Sequence, residues 1–507
     1  MNMALHTANP EFLSDLGDVL RLFYGDVTLL PAGQEDGMVF LHRLTQQDGQ
    51  WLDHWSCGGK EWTERTPVCL GHPLEIKRSR KRAVKRGLYN LLREMTGLRL
   101  PWGSLTGIRP TRLLYEAMDQ GLTPEQAEQR VMEAFDVQPD RARLLGDIAR
   151  MQQGLLRPAE NEFDLYIGIP FCVTRCTYCS FASGEIGDGR LVEPYVEALI
   201  REIRCCGELM GQRGLKLRAG YIGGGTPTAI PCDALERVFA AALEAFPGGV
   251  EWTVEAGRPD TIHRENLTML RRLGATRISV NPQTFHDETL RRVGRAHTGE
   301  DAVRAYLLAR ELGFDDINMD LIAALPGETP EIFERTLDRV IQLNPDSVTV
   351  HTLAIKRSSR LHEQMHVETG EHNQVNRDGA AEMIASARTR LTGAGWRPYY
   401  LYRQKYMAGN LENVGYARRG KACLYNIGNM EETASVLALG AGAITKWLFD
   451  REVRAEKQGY DLEALRFANL QLRIERAPNV RNVEQYIRRV DEMVQRKRAV
   501  IFPEEIQ

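Results

Sequence analysis

Six apolar, β-branched segments alternate with amphipathic helical segments from Phe163 to about residue 352, and this alternation restricts the possible folds more than any other feature of the sequence. It indicates βαβ units, because two parallel strands need a crossover connection between them. Six such units predict an α/β fold with a partial (βα)6 barrel of the TIM type, rather than a closed eight-fold barrel. The predicted strands are 165–169, 219–222, 252–255, 277–280, 318–322 and 347–352.

The rest of the sequence predicts one further domain on each side of this core. Residues 1–155 contain strand-like patches at 38–41 and 51–57, followed by helical patterns, and they predict an N-terminal α+β accessory domain. Residues 156–375 are the predicted core domain. Residues 376–507 predict a mostly helical C-terminal domain that caps the barrel and contacts the substrate.

The charge balance and the apolar runs exclude several classes of protein. The 65 Lys and Arg residues are offset by 68 Asp and Glu residues, so no net field attracts nucleic acid, and no nucleic-acid partner is expected. No apolar run reaches the roughly 18 residues of a membrane span, and the N-terminus lacks a secretory signal pattern. Nine cysteines without regular spacing are typical of a reducing compartment. We therefore expect a cytoplasmic protein.

One stretch departs from the even charge distribution. Residues 77–86 hold seven basic residues among ten and are followed by apolar residues at helical spacing. Two interpretations remain open: the solvated face of an amphipathic helix, or a patch that contacts an anion or RNA.

Three cysteines follow the first predicted strand of the barrel on one short loop. Cys172, Cys176 and Cys179 have the spacing C-x3-C-x2-C. Three thiolates on such a loop can hold three irons of an iron–sulfur cube and leave the fourth iron open to a small ligand. A structural zinc site would need a fourth Cys or His at short spacing, and the neighbouring sequence supplies none. The motif therefore favours a cluster with one open iron.

This motif, with Tyr178 before its third cysteine, resembles the signature of the radical S-adenosylmethionine (SAM) enzymes. From about residue 163 to 445 the sequence also resembles the oxygen-independent coproporphyrinogen III oxidase family, in particular its HemZ-type branch, with HemN and HemW as related branches. The segments that carry this resemblance are 166–179, 223–228, 255–256, 283–298, 318–322, 325–327 and 439–443, with 105–111 and the additional N-terminal domain resembling the HemZ branch.

The resemblance implies two cofactors. Cys172, Cys176 and Cys179 would hold a [4Fe-4S] cluster, and SAM would bind its unique iron through the methionyl amine and carboxylate. An electron from a donor such as flavodoxin or ferredoxin would cleave the sulfonium, and the resulting 5′-deoxyadenosyl radical would abstract hydrogen from an unactivated carbon.

The resemblance also implies which residues contact SAM. Gly224, Gly225 and Thr226 match the glycine-rich turn that receives the methionyl amine, although a tight βα turn without this role is an alternative. Glu255 matches a carboxylate that contacts SAM, and Arg295 matches the guanidinium that pairs with the SAM carboxylate. A structural salt bridge is the alternative for each of these two residues.

Four further positions take their roles from the same resemblance. Gln283 matches a polar SAM contact, and Asp320 matches an acid that contacts the ribose. Tyr178 is expected near the adenine, with ordinary packing as the alternative. Tyr166 matches a tyrosine at the junction of cofactor and substrate and is the expected catalytic residue.

The implied reaction is the oxidative decarboxylation of two propionates of coproporphyrinogen III, a tetrapyrrole, to give protoporphyrinogen IX. The sequence departs from HemN at two positions, with Gly168 in place of a histidine and Phe181 in place of a fourth cysteine. A HemW-like haem-binding chaperone and a different radical SAM reaction on a tetrapyrrole therefore remain alternatives.

The segment 399–421 is the expected contact for the substrate propionates, because it combines aromatic and basic side chains. It would close over the open end of the barrel. A polar surface loop and an RNA contact are the alternatives. The residues concerned are Tyr399, Tyr400, Tyr402, Arg403, Lys405, Tyr406, Asn410, Asn413, Tyr416, Arg418, Arg419 and Lys421.

Overall fold

The computed structural model describes residues 1–502 apart from 26, 32, 35–36, 69–72, 108, 356–358, 362–371, 405–406 and 450–472. The described residues fall into two compact units, 1–146 and 147–449 with 473–502. The boundary between them lies near the predicted end of the N-terminal domain, whereas the predicted division at 375/376 lies inside the second unit. Among the helices described, none is both long and apolar enough to cross a membrane.

The first unit is an α+β fold. Its elements are β1 (Asn2–Thr7), α1 (Leu13–Tyr24), β2 (Thr28–Leu29), β3 (Met38–Gln47), β4 (Gln50–Cys57), β5 (Lys60–Pro67), α2 (Pro73–Thr96), α3 (Thr111–Met118), α4 (Pro124–Phe135) and the start of α5 (Pro139–Met151). The sheet has the order β2-β1-β3-β4-β5, with β3, β4 and β5 antiparallel. Apolar residues of α1 and α2 share one core with Phe40 and Trp55 of the sheet. The sequence predicted this combination of helices and strands.

The basic stretch 77–86 lies on α2, and several of its charges are paired with acids. Arg80 Nη2 lies 2.5 Å from Glu11 Oε1, and Lys81 Nζ lies 3.3 Å from Asp15 Oδ1. The apolar face of the same helix is buried in the core of the unit. These contacts favour the amphipathic-helix interpretation over a patch that binds an anion or RNA.

The second unit contains one eleven-stranded sheet in the order β14-β15-β13-β12-β11-β10-β9-β6-β16-β17-β18, and a two-stranded sheet of β7 and β8. The strands are β6 (Glu162–Ile169), β7 (Phe171–Cys172), β8 (Gly184–Glu185), β9 (Lys216–Gly224), β10 (Gly248–Gly257), β11 (Arg277–Val280), β12 (Ile317–Ala323), β13 (Ser347–Thr352), β14 (Arg397–Tyr402), β15 (Asn413–Ala417), β16 (Val436–Leu439), β17 (Ile444–Phe449) and β18 (Arg473–Pro478). The helices are α6 (Val192–Gln212), α7 (Cys232–Ala245), α8 (Arg264–Arg272), α9 (Asp287–Arg292), α10 (Gly299–Glu311), α11 (Pro330–Leu343), α12 (His372–Gly393), α13 (Leu424–Glu431), α14 (Val483–Arg488) and α15 (Val490–Ile501).

The six predicted strands of the core are β6 and β9 to β13, and they lie side by side in chain order. Each pairs in parallel with its neighbour, and helices connect them. The prediction of an α/β fold with a partial six-unit barrel is therefore confirmed. In such a fold the loops at the carboxyl ends of the strands carry the chemistry.

The C-terminal part extends both edges of this sheet. β16 pairs in parallel with β6, and β15 pairs antiparallel with β13. This differs in detail from the predicted mostly helical cap, since five strands accompany the helices among the described residues from 376 onward. The strands form here because they pair with the otherwise exposed edges of the barrel sheet.

The direction of β15 corrects the expectation that segment 399–421 closes over the open end of the barrel. Ala417 pairs with Ser347, the first residue of β13, so the chain after β15 leaves at the amino end of the barrel. There Lys421 Nζ donates to the carbonyl of Asp315, which precedes β12. Arg418, Arg419 and Lys421 therefore belong to the end opposite the cysteine loop. Lys405 and Tyr406 lie outside the described residues.

Buried ion pairs and α13 fill the amino end of the barrel. Arg218 Nη2 lies 2.6 Å from Asp164 Oδ2, and Arg277 Nη2 lies 2.8 Å from Asp316 Oδ2. Glu251 accepts backbone N–H groups from the start of α13. Because these contacts close the amino end of the barrel, a ligand can enter from the carboxyl end of the strands.

Candidate active site

The cysteine loop begins where β6 ends and is fixed by backbone contacts with the segment after α9. The Thr177 N–H donates to the Val293 carbonyl at 3.0 Å, and Thr174 Oγ1 donates to the Gly294 carbonyl at 3.3 Å. Within the loop, the Cys179 N–H donates to the Cys176 carbonyl at 3.1 Å. The three cysteines therefore lie on one ordered loop at the carboxyl end of the sheet.

Two of the cysteine sulfurs lie near polar donors. Thr226 Oγ1 lies 3.6 Å from Cys172 Sγ, and Arg258 Nη1 lies 3.9 Å from Cys176 Sγ. Burial raises the pKa of the Cys172 thiol and so disfavours its thiolate. In the described part of the chain, no three His, Cys, Asp or Glu side chains are arranged to hold a single metal ion. A four-iron cluster instead binds each thiolate through a different iron.

The glycine-rich turn after β9 approaches this loop so closely that side chains cannot be accommodated. A Cβ on Gly224 would lie 2.8 Å from the Ile169 carbonyl oxygen, and Gly224 has a φ of 120°. A Cβ on Gly225 would lie 2.5 Å from the Phe171 carbonyl oxygen and 2.9 Å from Cys172 Sγ. The two glycines thus allow the turn to pack directly against the cysteine loop.

Glu255 is half-buried inside the barrel beside this turn. Tyr221 Oη donates to Glu255 Oε1 at 2.6 Å, and a Cβ on Gly223 would lie 2.7 Å from Glu255 Oε2. Burial and the negative charge of Asp320, opposed in part by the Tyr221 hydrogen bond, raise the pKa of Glu255 to about 7. Glu255 makes no ion pair with any described residue, so the structural salt-bridge alternative has no partner here.

Arg295 joins the cysteine loop to the interior of the barrel. Its Nη1 donates to Tyr178 Oη at 2.9 Å, and its Nη2 donates to the Asn281 carbonyl at 2.8 Å. It is buried, and burial disfavours its charge while the neighbouring Tyr178 and Cys176 stabilise it. No described carboxylate lies within ion-pair distance of Arg295. The Arg295 guanidinium can therefore pair with an anionic ligand.

Several buried polar atoms around Arg295 have no hydrogen-bond partner among the described residues. Gln283 adopts the left-handed conformation, with φ of 69°, at the end of β11. Buried polar atoms without partners are rare in folded proteins, so this group fits a polar, charged ligand such as the amino-acid part of SAM. The atoms concerned are Ser279 Oγ, Asn281 Oδ1, Gln283 Oε1 and Arg295 Nε.

Asp320 lies at the same level of the barrel, on β12. Asn318 Nδ2 donates to Asp320 Oδ1 at 2.7 Å, and His351 Nε2 lies 3.9 Å from Asp320 Oδ2. Although burial acts in the opposite direction, His351 and Asn318 hold the pKa of Asp320 below its usual value. Asp320 is therefore an ionised acceptor beside Asn318 and His351.

Tyr166 lies in a stack of three aromatic rings inside the barrel. Its ring centroid lies 6.2 Å from that of Tyr221 and 6.2 Å from that of Tyr425. Because Tyr221 also donates to Glu255, this stack connects the expected catalytic tyrosine to the expected SAM-binding carboxylate. Gly168, two residues after Tyr166, packs closely against its ring, since a Cβ there would lie 3.3 Å from Tyr166 Cε1 and 3.4 Å from the Leu439 carbonyl oxygen.

Sequence reasoning missed two residues of this site. Arg258 follows β10 and reaches Cys176, and His351 lies on β13 between Asp320 and Tyr402, with its Nδ1 3.3 Å from Tyr402 Oη. Both positions are at the carboxyl ends of predicted strands, which is the signal that would have marked them. Neither belongs to a motif that carries the family resemblance.

Comparison with known proteins gives three findings. The profile of the Radical SAM superfamily matches residues 166–340. The chain is 36% identical to the oxygen-independent coproporphyrinogen-III oxidase-like protein HemZ of Bacillus subtilis over 86% of this chain and 88% of that protein. It is 29% identical to the heme chaperone HemW of Escherichia coli over 56% of this chain and 70% of that protein.

Among solved structures, the fold is similar to that of the coproporphyrinogen III oxidase HemN of Escherichia coli, described as a radical SAM enzyme. The TM-score is 0.50 and the identity 24%, over 70% of this chain and 73% of that one. At this identity the similarity supports the fold alone. The sequence similarity to HemZ, in contrast, covers most of both chains.

Proposed function

Because the chain belongs to the oxygen-independent coproporphyrinogen III oxidase family of radical SAM enzymes, we propose that it decarboxylates coproporphyrinogen III to protoporphyrinogen IX. The observation that most directly supports this proposal is the 36% identity to HemZ over 88% of that protein. The cofactors of the superfamily are a [4Fe-4S] cluster and SAM, and when bound they supply a 5′-deoxyadenosyl radical that removes hydrogen from the substrate.

In this proposal Cys172, Cys176 and Cys179 ligate the cluster, and the turn at Gly224 and Gly225 receives the SAM amine. The support for these roles is the close approach of the turn to Cys172, which leaves backbone groups rather than side chains facing the cluster. A backbone surface of this kind suits a ligand that must reach an iron atom directly.

Four polar or charged side chains, two on strands and two on segments between strands, are proposed to orient SAM. Arg295 pairs with the SAM carboxylate, Glu255 and Gln283 accept from its polar hydrogens, and Asp320 accepts from the ribose hydroxyls. The unpartnered buried atoms of Gln283 and Arg295 support these roles, since a bound ligand would satisfy them. Tyr178, held by the Arg295 hydrogen bond, lies beside an apolar cluster that contains Leu325 and is suited to the adenine.

The substrate is proposed to bind above Tyr166, at the carboxyl end of the barrel. There Tyr402 and His351 offer polar groups. Arg403 follows Tyr402 at the same end and donates to the carbonyl of Asn410. Tyr166 would form a wall beside the reacting propionate and keep water away from the substrate radical.

The test is an anaerobic assay of reconstituted full-length protein with coproporphyrinogen III, SAM, dithionite and cell extract as a source of electron acceptor. We expect a three-propionate intermediate, then protoporphyrinogen, since two propionates react in succession at one site. Mass spectrometry and the fluorescence of the oxidised porphyrins measure both. Cleavage of SAM without any decarboxylated tetrapyrrole would contradict the proposed reaction.

A haem carrier is the second candidate, and the similarity to HemW favours it. The absence of the HemN histidine at Gly168 is compatible with either function. Titration with haem separates the two candidates: a carrier binds haem stoichiometrically and leaves coproporphyrinogen III unchanged. The enzyme needs SAM for every decarboxylation. An electron donor such as flavodoxin or ferredoxin is proposed only for the enzyme.

We expect Glu255→Gln to raise the Kd for SAM by roughly 10- to 150-fold, because a hydrogen bond to a charged group contributes about 1.5 to 3 kcal/mol. Isothermal titration of cluster-containing protein under anaerobic conditions measures the Kd. Glu236→Gln is the matched control, since Glu236 pairs with Arg272 on the protein surface. Equal affinities in wild type and Glu255→Gln would remove Glu255 from the SAM site.

The affinity for SAM is also expected to depend on pH. Glu255 has a pKa raised to about 7 by burial, so its carboxylate is mostly protonated at pH 6 and mostly ionised at pH 8. If only the ionised form accepts from SAM, the apparent affinity rises by up to about tenfold between these values. Asp320, Tyr221 and His351 face the same space and remain in Glu255→Gln, so the part of the rise that this variant loses belongs to Glu255.

A further inference from the structure

Arg258 is a buried arginine that reaches the cysteine loop from the end of β10. It follows Gly257, whose φ of 63° turns the chain out of the strand. Only 4% of Arg258 is exposed. A buried guanidinium needs several hydrogen-bond acceptors, because removing its charge from water is costly.

The acceptors of Arg258 lie on two different segments. Nε and Nη2 donate to the two carboxylate oxygens of Asp260 at 3.0 and 2.8 Å. Nη1 donates to the carbonyl oxygen and to Oγ1 of Thr174 at 3.0 and 2.8 Å. The same Nη1 lies 3.9 Å from Cys176 Sγ. Asp260 therefore orients the guanidinium, and the guanidinium holds the cysteine loop.

This arrangement places an N–H donor and a positive charge beside one sulfur ligand of the cluster. Reduction of a [4Fe-4S] cluster adds one negative charge, so a neighbouring cation stabilises the reduced form. Net charge and hydrogen bonds to the sulfurs are among the factors that determine cluster potentials. Asp260 opposes part of the effect, because its charge lies on the far side of the same guanidinium.

We propose that Arg258 is a positioning residue that fixes Cys176 and raises the reduction potential of the cluster. Its planar fork contacts Asp260, Thr174 and Cys176 at once, which a lysine ammonium cannot reproduce in the same geometry. A higher potential makes the cluster easier for an electron donor to reduce. The inference rests on the cluster and not on the substrate, so it holds equally for an oxidase and for a haem carrier.

The experiment is a redox titration of reconstituted full-length variants, monitored by electron paramagnetic resonance. Iron and sulfide content are measured in parallel. Arg258→Gln removes the charge and is expected to give a more negative midpoint potential than wild type. Asp260→Asn keeps the arginine and removes the opposing charge, so it is expected to give a more positive potential. Arg264→Gln is the control, since Arg264 forms an exposed pair with Glu311.

Opposite shifts in the two variants would support the proposal. Unchanged potentials in both, or a loss of iron with an unchanged potential in the clusters that remain, would assign Arg258 a purely structural role and overturn it. If Arg258→Gln fails to hold a cluster, the sign of the Asp260→Asn shift decides: a zero or negative shift overturns the proposal. Failure of the decarboxylation assay leaves all these measurements unaffected.

Discussion

Alanine at Cys172, Cys176 or Cys179 is expected to abolish the iron–sulfur cluster. Wild-type protein reconstituted under anaerobic conditions should bind about four irons and four sulfides, because three thiolates and one open iron suit a cube. Each substitution removes one of the three proposed protein ligands, and the loop has no fourth cysteine to replace it. Iron and sulfide analysis and the electron paramagnetic resonance signal after reduction measure the loss.

The matched controls are Cys205→Ala and Cys232→Ala, which remove partly exposed cysteines of α6 and α7. They should keep the full iron content and SAM cleavage. A cluster signal that survives in all three loop variants would show that the iron ligands lie elsewhere. Loss of iron in the control variants would instead indicate nonspecific binding during reconstitution.

Lys497→Ala is expected to lower the free energy of unfolding by about 3 to 5 kcal/mol, because it leaves a buried carboxylate without its cation. Lys497 and Glu202 are both fully buried, and Nζ lies 2.7 Å from Glu202 Oε1. Glu202 Oε2 also accepts the backbone N–H of Gly440 at 2.8 Å, and a Cβ on Gly440 would lie 2.3 Å from the carbonyl oxygen of Gly168. The variant should therefore also loosen the wall beside Tyr166.

Arg201→Ala provides the control, because Arg201 and Asp491 form an exposed ion pair between the same helices, α6 and α15. Exposed pairs contribute at most about 1 kcal/mol, so this variant should unfold close to wild type in urea. The double variant Glu202→Gln/Lys497→Met should recover much of the loss, since no unpaired charge remains. Equal effects of Lys497→Ala and Arg201→Ala would show that the buried pair has no special role.

The local sequence predicted much of this molecule. The core strands at 277–280 and 347–352 match β11 and β13 residue for residue, and the other four lie within longer observed strands. Strand periodicity, helix periodicity and the spacing of three cysteines are properties of short segments, and they can be interpreted without knowledge of distant contacts. The family resemblance added the positions proposed to contact SAM, which no local pattern would have identified.

Other features depend on contacts between residues far apart in the chain. The direction of β15 follows from its antiparallel pairing with β13, and this pairing carries Arg418 and Lys421 away from the cysteine loop. Aromatic and basic composition is the same whichever way the strand runs. The expectation that the whole of segment 399–421 lies at one end of the barrel is therefore wrong, because its last residues lie at the opposite end.

The sequence by itself determined the order of the barrel strands and the loop that carries the three cysteines, because apolar periodicity and ligand spacing are local. Only the tertiary structure decided the environment of those cysteines. Arg258 lies 79 positions beyond Cys179 in the chain, yet the side-by-side arrangement of the strands brings its guanidinium to Cys176. Likewise, the left-handed backbone of Gln283 and the unpartnered atoms around Arg295 depend on neighbouring strands that close packing, and not sequence order, brings together.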